Sequence, residues 1–174
     1  MAAVPFLEAS WEDYLALGED VRAEYIDGSI VMSPFPSRKH QTACRRLANL
    51  MEADLPEGYD VVIEWGWKPG DDEFGPDVMV FPTTDEEVRF TGTPLLCVEV
   101  LSTNRAADLV VKAAKYAAAG VDHYWVVDTA DETLTAFVRE GDAYRLALVI
   151  ENSAPQRVAY GAGEVTIDTG ALFR

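Results

Sequence analysis

Two stretches of this chain are apolar at both strand parities: Val78-Met79-Val80-Phe81 and Leu95-Leu96-Cys97-Val98-Glu99-Val100-Leu101. Runs of this kind predict strands covered on both faces. Upstream, Ser10 and Asp13 resemble a capping box ahead of Tyr14, Leu15 and Leu17, which predicts a short helix. Glu24-Tyr25-Ile26 and Ser29-Ile30-Val31-Met32 flank Asp27-Gly28, a hairpin signal. After the Pro34-Phe35-Pro36 break, Ser37 caps a predicted helix whose Ala43, Leu47, Leu50 and Met51 recur at helical spacing. Arg45, Asn49 and Glu52 lie on the opposite face.

Alternation from Val61 to Lys68 predicts one strand, with Trp65 and Trp67 on an aromatic face for core packing, ahead of base stacking as the alternative. A second long helix is expected from about Ala106 to Ala119, stopped by Gly120. His123 to Val127 reads as a strand, followed by antiparallel candidates at Leu134 to Val138 and Tyr144 to Ile150. No repeat or linker interrupts the chain. The order of helix, three strands, helix and strand predicts an α/β sandwich in one domain over residues 1–174, with antiparallel strands extending its sheet.

Composition places the chain among ordinary globular proteins: 174 residues, 49% hydrophobic and 25% charged. The first residues lack the basic start and apolar stretch of a secretory signal, and no segment approaches a membrane span, so a cytoplasmic protein without a membrane partner is expected. Cys44 and Cys97 read as reduced core thiols, and two cysteines with two histidines offer no zinc-type spacing. The formal charge of -16 opposes nucleic-acid binding, which relies on Lys and Arg displacing counterions. Against it, Arg38, Lys39, Arg45 and Arg46 crowd into nine positions, as either a solvated helix face or a strip that contacts a polyanion.

Glu99 is the one charge in its apolar run, and a buried, unpartnered carboxylate is costly. Asp77, after Gly75-Pro76, stands at the mouth of the other run. Two acids on neighbouring strands, which lie about 4.8 Å apart, can share one divalent cation, magnesium drawing carboxylate oxygens to about 2.0 to 2.1 Å. The plainer alternatives are a Glu99 that answers a buried arginine or backbone group and an Asp77 that caps a turn. In the following helix, Asp108, Lys112 and Lys115 share a face. Lys112 either pairs with Asp108, worth about 0.3 to 0.5 kcal/mol, or points back towards a metal-bound phosphate.

Pro76-Asp77, then Glu99-Val100-Leu101-Ser102, Asp108, Lys112, Tyr116 and the Tyr124-Trp125 strand together resemble the Uma-two restriction-endonuclease family, within the PD-(D/E)XK nuclease superfamily. Glu24-Tyr25-Ile26-Asp27-Gly28 and Ser37 with His40 extend the match, from about Glu24 to Asp128. The resemblance implies a restriction-endonuclease-like α/β fold: a mixed sheet core flanked by helices, with additional antiparallel strands. It implies a DNA endonuclease using Mg2+ or Mn2+, with Asp77 and Glu99 as metal ligands and the Val100 carbonyl as a further one. Leu101 occupies the place of the superfamily lysine, so Lys112, or Lys115 as fallback, is the candidate replacement. Glu24 matches the acid of the opening hairpin, holding a second ion or orienting water, or else is a surface strand acid. His40 touches phosphate, relays a proton, or is an exposed histidine at a capped helix start. A symmetric homodimer would most easily nick both strands of a duplex. The competing reading is a nuclease fold that no longer cuts and serves as a binding or regulatory module.

Overall fold

The computed structural model describes residues 6–18, 21–101, 106–151 and 154–174. In chain order the strands are β1 (Phe6–Glu8), β2 (Ala23–Ile26), β3 (Ser29–Met32), β4 (Tyr59–Ile63), β5 (Gly66–Trp67), β6 (Val78–Pro82) and β7 (Arg89–Phe90). They continue as β8 (Leu96–Leu101), β9 (His123–Asp128), β10 (Thr133–Glu140), β11 (Ala143–Glu151), β12 (Gln156–Ala159) and β13 (Glu164–Ile167). The helices are α1 (Trp11–Leu15), α2 (Arg38–Ala53), α3 (Ala106–Ala118) and α4 (Thr169–Phe173). Ser102 and the side chain of Asp108 lie outside the described residues, and with them the Asp108–Lys112 ion pair.

Six strands form the central sheet in the order β11-β10-β9-β8-β6-β4. Only β8 and β9 run parallel, joined by α3, and the remaining neighbours are antiparallel. The two apolar runs, β6 and β8, lie side by side inside the sheet, flanked by antiparallel β4 on one side and parallel β9 on the other. Strand alternation then divides the core. Leu96, Val98 and Val100 face Ala43, Cys44, Leu47 and Met51 of α2, together with β12, β13 and α4. Cys97, Met79 and Phe81 face the other way, towards Tyr116 of α3 and the Trp67–Phe74 cluster. Glu99 has the parity of Cys97, so its side chain is delivered to the α3 layer.

The capping box at Ser10, the Ser37 cap and the Asp27-Gly28 turn form as expected, the turn residues having φ of 51° and 73°. The expected single strand from Val61 to Lys68 does not. Glu64 has φ of 55°, which breaks pairing after Ile63 and turns the chain into the separate strand β5. Trp67 is buried and Trp65 packs on Phe81 and Phe90, so both serve core packing. Among the described residues no helix is long and apolar enough to cross a membrane.

Candidate functional site

Asp77 sits one residue before β6, where the Gly75-Pro76 turn feeds it into the interface between α2 and β8. Its Oδ1 accepts from Arg22 Nη2 at 3.0 Å and His40 Nε2 at 3.2 Å, and its Oδ2 accepts from the Val100 N–H at 2.7 Å. Burial pushes this carboxyl up, but the His40 hydrogen bond and charge, the Val100 N–H and Lys112 hold it below its ordinary 3.8. Asp77 therefore stays ionised although it is only 1% exposed.

Glu99 meets a different environment. Both oxygens accept from Lys112 Nζ, at 3.2 and 3.1 Å, and Oε1 also accepts from the Tyr116 hydroxyl at 2.7 Å. Burial raises its pKa to about 7; Lys112 opposes the shift, the Asp77 and Glu24 charges add to it, and the Tyr116 hydroxyl opposes it. Lys112 Nζ also reaches Glu24 Oε1 at 2.8 Å. Burial pulls the lysine down, but Glu24 and Glu99 outweigh that and hold it above its ordinary range. Glu24 Oε1 in turn accepts from the Gly75 N–H at 2.8 Å, tying the β2–β3 hairpin to the turn that carries Asp77.

The sequence-derived residues Glu24, His40, Asp77, Glu99 and Lys112 thus converge. The readings of Glu24 as a surface acid and His40 as an exposed histidine are corrected: both are buried and engaged, because the hairpin and the first turn of α2 close over the strand ends. Glu99 is answered by a lysine and a tyrosine instead of a buried arginine. Lys115 points elsewhere, to Asp27 Oδ1 at 2.6 Å and Asp72 Oδ2 at 2.7 Å. Arg46 donates to the Ala171 and Leu172 carbonyls at 3.0 and 3.2 Å, fastening the end of α4 to α2. Arg38, Lys39 and Arg45 are exposed on α2.

Two participants escaped the sequence reading. Arg22 Nη2 bridges Asp77 and Glu64 Oε1, each at 3.0 Å. The available signal for Arg22 was its strand parity with Glu24, which places both on one face. Four carboxylates, Glu24, Glu64, Asp77 and Glu99, are thereby set against the permanent cations Arg22 and Lys112. A cleft of about 920 Å³ reaches this cluster, lined by Arg22, Glu24, Glu64 and Lys112 together with Tyr14 and Trp65. Asp77 and Glu99 stand behind those residues.

Glu99→Gln should separate the cost of this site from its use. Folding raises the Glu99 pKa from 4.5 to about 7, so between those values the native state binds more protons than the unfolded chain. Its contribution to stability therefore falls as pH rises through this window. The variant should match or exceed wild type in Tm above pH 7 by a few degrees, with the advantage shrinking towards pH 5, as read by calorimetry. A lower Tm than wild type at pH 8 would show that the charge itself stabilises the fold.

A mixed six-stranded sheet between helices, with acids gathered at its strand ends, is the restriction-endonuclease-like fold. The crystal structure of a "putative nuclease belonging to DUF820" from Anabaena variabilis superposes with a TM-score of 0.78, covering 94% of this chain and 97% of that one at 21% identity. The Uma2 family model, described as "Putative restriction endonuclease", matches residues 11–166, and the chain belongs to that family. No match is found among curated proteins.

Proposed function

We propose that this chain is one nuclease domain that hydrolyses DNA phosphodiester bonds with a divalent metal ion, Mg2+ or Mn2+. The observation that carries the reading is the convergence of four carboxylates, three of them buried, on two permanent cations. Against Arg22, Lys112 and the His40 charge that holds Asp77 down, the four carboxylates leave about one negative charge in excess, which a bound dication would offset. The donor set fits a hard ion, since Asp77, Glu99 and the Val100 carbonyl offer oxygen only. When bound, the metal supplies Lewis acidity towards phosphate and a more acidic water.

The chain's own residues do the remainder. Asp77, held ionised by His40, the Val100 N–H and Lys112, is ready to ligate without losing a proton. Lys112 spans Glu24 and Glu99, so with Glu99 among the residues that would hold the ion, its ammonium would stay anchored on Glu24 and could face a phosphoryl oxygen whose charge grows in the reaction. This supplies the positive charge that Leu101 cannot. Lys115, committed to Asp27 and Asp72, leaves that task to Lys112.

The reading is tested by incubating the protein with plasmid and with single-stranded DNA in magnesium or manganese. Cleavage that vanishes with a chelator is expected. No cleavage under any condition would favour the non-cutting binding module, to which Leu101 is the pointer.

DNA contact is proposed along α2. Arg38, Gln41 and Arg45 share a helical stripe, and Gln41 Nε2 donates to Glu64 at 3.2 Å, which sets the stripe beside the site. Lys39 and Arg46 lie on a second stripe. Replacing Arg38 and Arg45 together with alanine should weaken DNA binding about ten-fold at low salt and reduce the slope of log K against log salt by roughly 2. Fluorescence anisotropy over a salt series reads both. An unchanged affinity and slope would remove α2 from the contact surface.

A further inference from the structure

The imidazole of His40 stands between two other buried groups. Its Nε2 is 3.2 Å from Asp77 Oδ1, and its Nδ1 is 3.5 Å from Cys44 Sγ. His40 and Cys44 are four residues apart on α2 and so share a face. One nitrogen, one sulfur and one carboxylate oxygen from the three residues all lie within 4.8 Å of one another. Tetrahedral zinc, about 2.3 Å from sulfur and 2.0 to 2.1 Å from nitrogen, sets its ligand atoms about 3.3 to 3.6 Å apart, so an ion held by one imidazole nitrogen would draw the other two ligands inward by about 1 Å.

The order Cys44, His40, Asp77 also imitates a nucleophile, its base and an orienting acid, but the chemistry is wrong for it. Cys44 is wholly shut from solvent. Burial pushes its thiol well up, with Asp77 and Glu64 adding to the shift, where a nucleophile needs it lowered. A cation acts in the opposite sense, because a coordinated thiol gives up its proton.

We propose that His40, Cys44 and Asp77 form a site for a thiophilic divalent ion of the zinc class, different in donor chemistry from the oxygen-only site on Asp77 and Glu99. Sulfur and imidazole select zinc, cobalt or cadmium over magnesium. As the sulfur–metal bond forms, the Cys44 proton leaves to solvent, and thiolate plus carboxylate balance the two positive charges. Arg22 and Glu64, with side chains 27% and 30% exposed, cover Asp77 from the cleft side. An ion enters as Arg22 releases Asp77 and keeps Glu64. Because Asp77 serves both sites, a soft ion here withdraws it from the hard ion and inhibits cleavage. The inhibition rests on the proposed function; the binding site does not.

The test is titration of Co2+ into the magnesium-free full chain, followed by the near-ultraviolet thiolate-to-cobalt charge-transfer band. Wild type and Cys97→Ala should develop the band to one equivalent, and folded Cys44→Ala or Cys44→Ser should not. Zinc-edge X-ray absorption on wild type needs no variant and should show one sulfur at about 2.3 Å. No band at saturating cobalt, a band that survives in a folded Cys44 variant, or a zinc shell of nitrogen and oxygen alone would overturn the site. In the cleavage assay, Cys44→Ala should need about 10- to 100-fold more zinc than wild type for the same inhibition; equal zinc sensitivity would overturn the inhibition. A wild type that does not cut DNA at all would sink the proposed function, while the spectra still decide the site.

Discussion

Asp77→Asn should abolish metal-dependent DNA cleavage, lowering the rate by about 10³-fold or more. The estimate follows from several kcal/mol of charge stabilisation lost with a ligating carboxylate, at about 1.4 kcal/mol per ten-fold. The asparagine oxygen can still accept from His40 and Arg22, but the amide nitrogen then faces the Val100 N–H, donor against donor. That mismatch should cost about 1 to 3 kcal/mol of stability. A melting curve showing a folded variant, beside a plasmid assay showing no cleavage, separates the chemical loss from the structural one. Undiminished cleavage by Asp77→Asn would mean that the activity comes from elsewhere.

Lys112→Met should lower the rate by about 10² to 10³-fold, the effect of losing one preorganised charge-stabilising donor. The structure adds a consequence that a surface pair with Asp108 would not have. Lys112 is 5% exposed and neutralises both Glu24 and Glu99, so its removal leaves two buried carboxylates uncompensated. Breaking a buried pair in this way typically costs about 3 to 5 kcal/mol. Magnesium should restore part of that loss, because the ion offsets the same charges, and the rise in Tm on adding magnesium should be larger in the variant than in wild type. Denaturation with and without magnesium checks this. A Tm that neither falls in the variant nor responds to the ion would detach Lys112 from the acids.

The central acids were legible because their surroundings are extreme in one dimension: Glu99 interrupts a run that is otherwise apolar, and Asp77 follows a Gly-Pro turn into another. Lys112 was legible only through the resemblance, since its partners lie 13 and 88 positions away along the chain. The burial of Glu24 and His40 depends on how the hairpin and the start of α2 close over the strand ends, which no local pattern carries. Arg22 lies among acids, and Glu64 alternates with Trp65 and Trp67, so each looks like the solvent-facing position of an ordinary half-buried strand. The break at Glu64 was hidden because the left-handed position is filled by glutamate instead of glycine. Strands β12 and β13 and helix α4 are four or five residues each, too short to show a period, and they form by packing on the α2 face of the sheet. Cys44 was read as a core thiol and is one, yet its helical spacing to His40 was the signal for the cluster they make with Asp77.

The most direct measurement is a crystal structure of the protein with Mn2+, using anomalous scattering to locate the ion. One manganese peak is expected, bonded to carboxylate oxygens of both Asp77 and Glu99, with Lys112 still held by Glu24 and drawn off at least one Glu99 oxygen. A peak that avoids Asp77, or a Glu99 still clasped through both oxygens by Lys112 at saturating manganese, would contradict it.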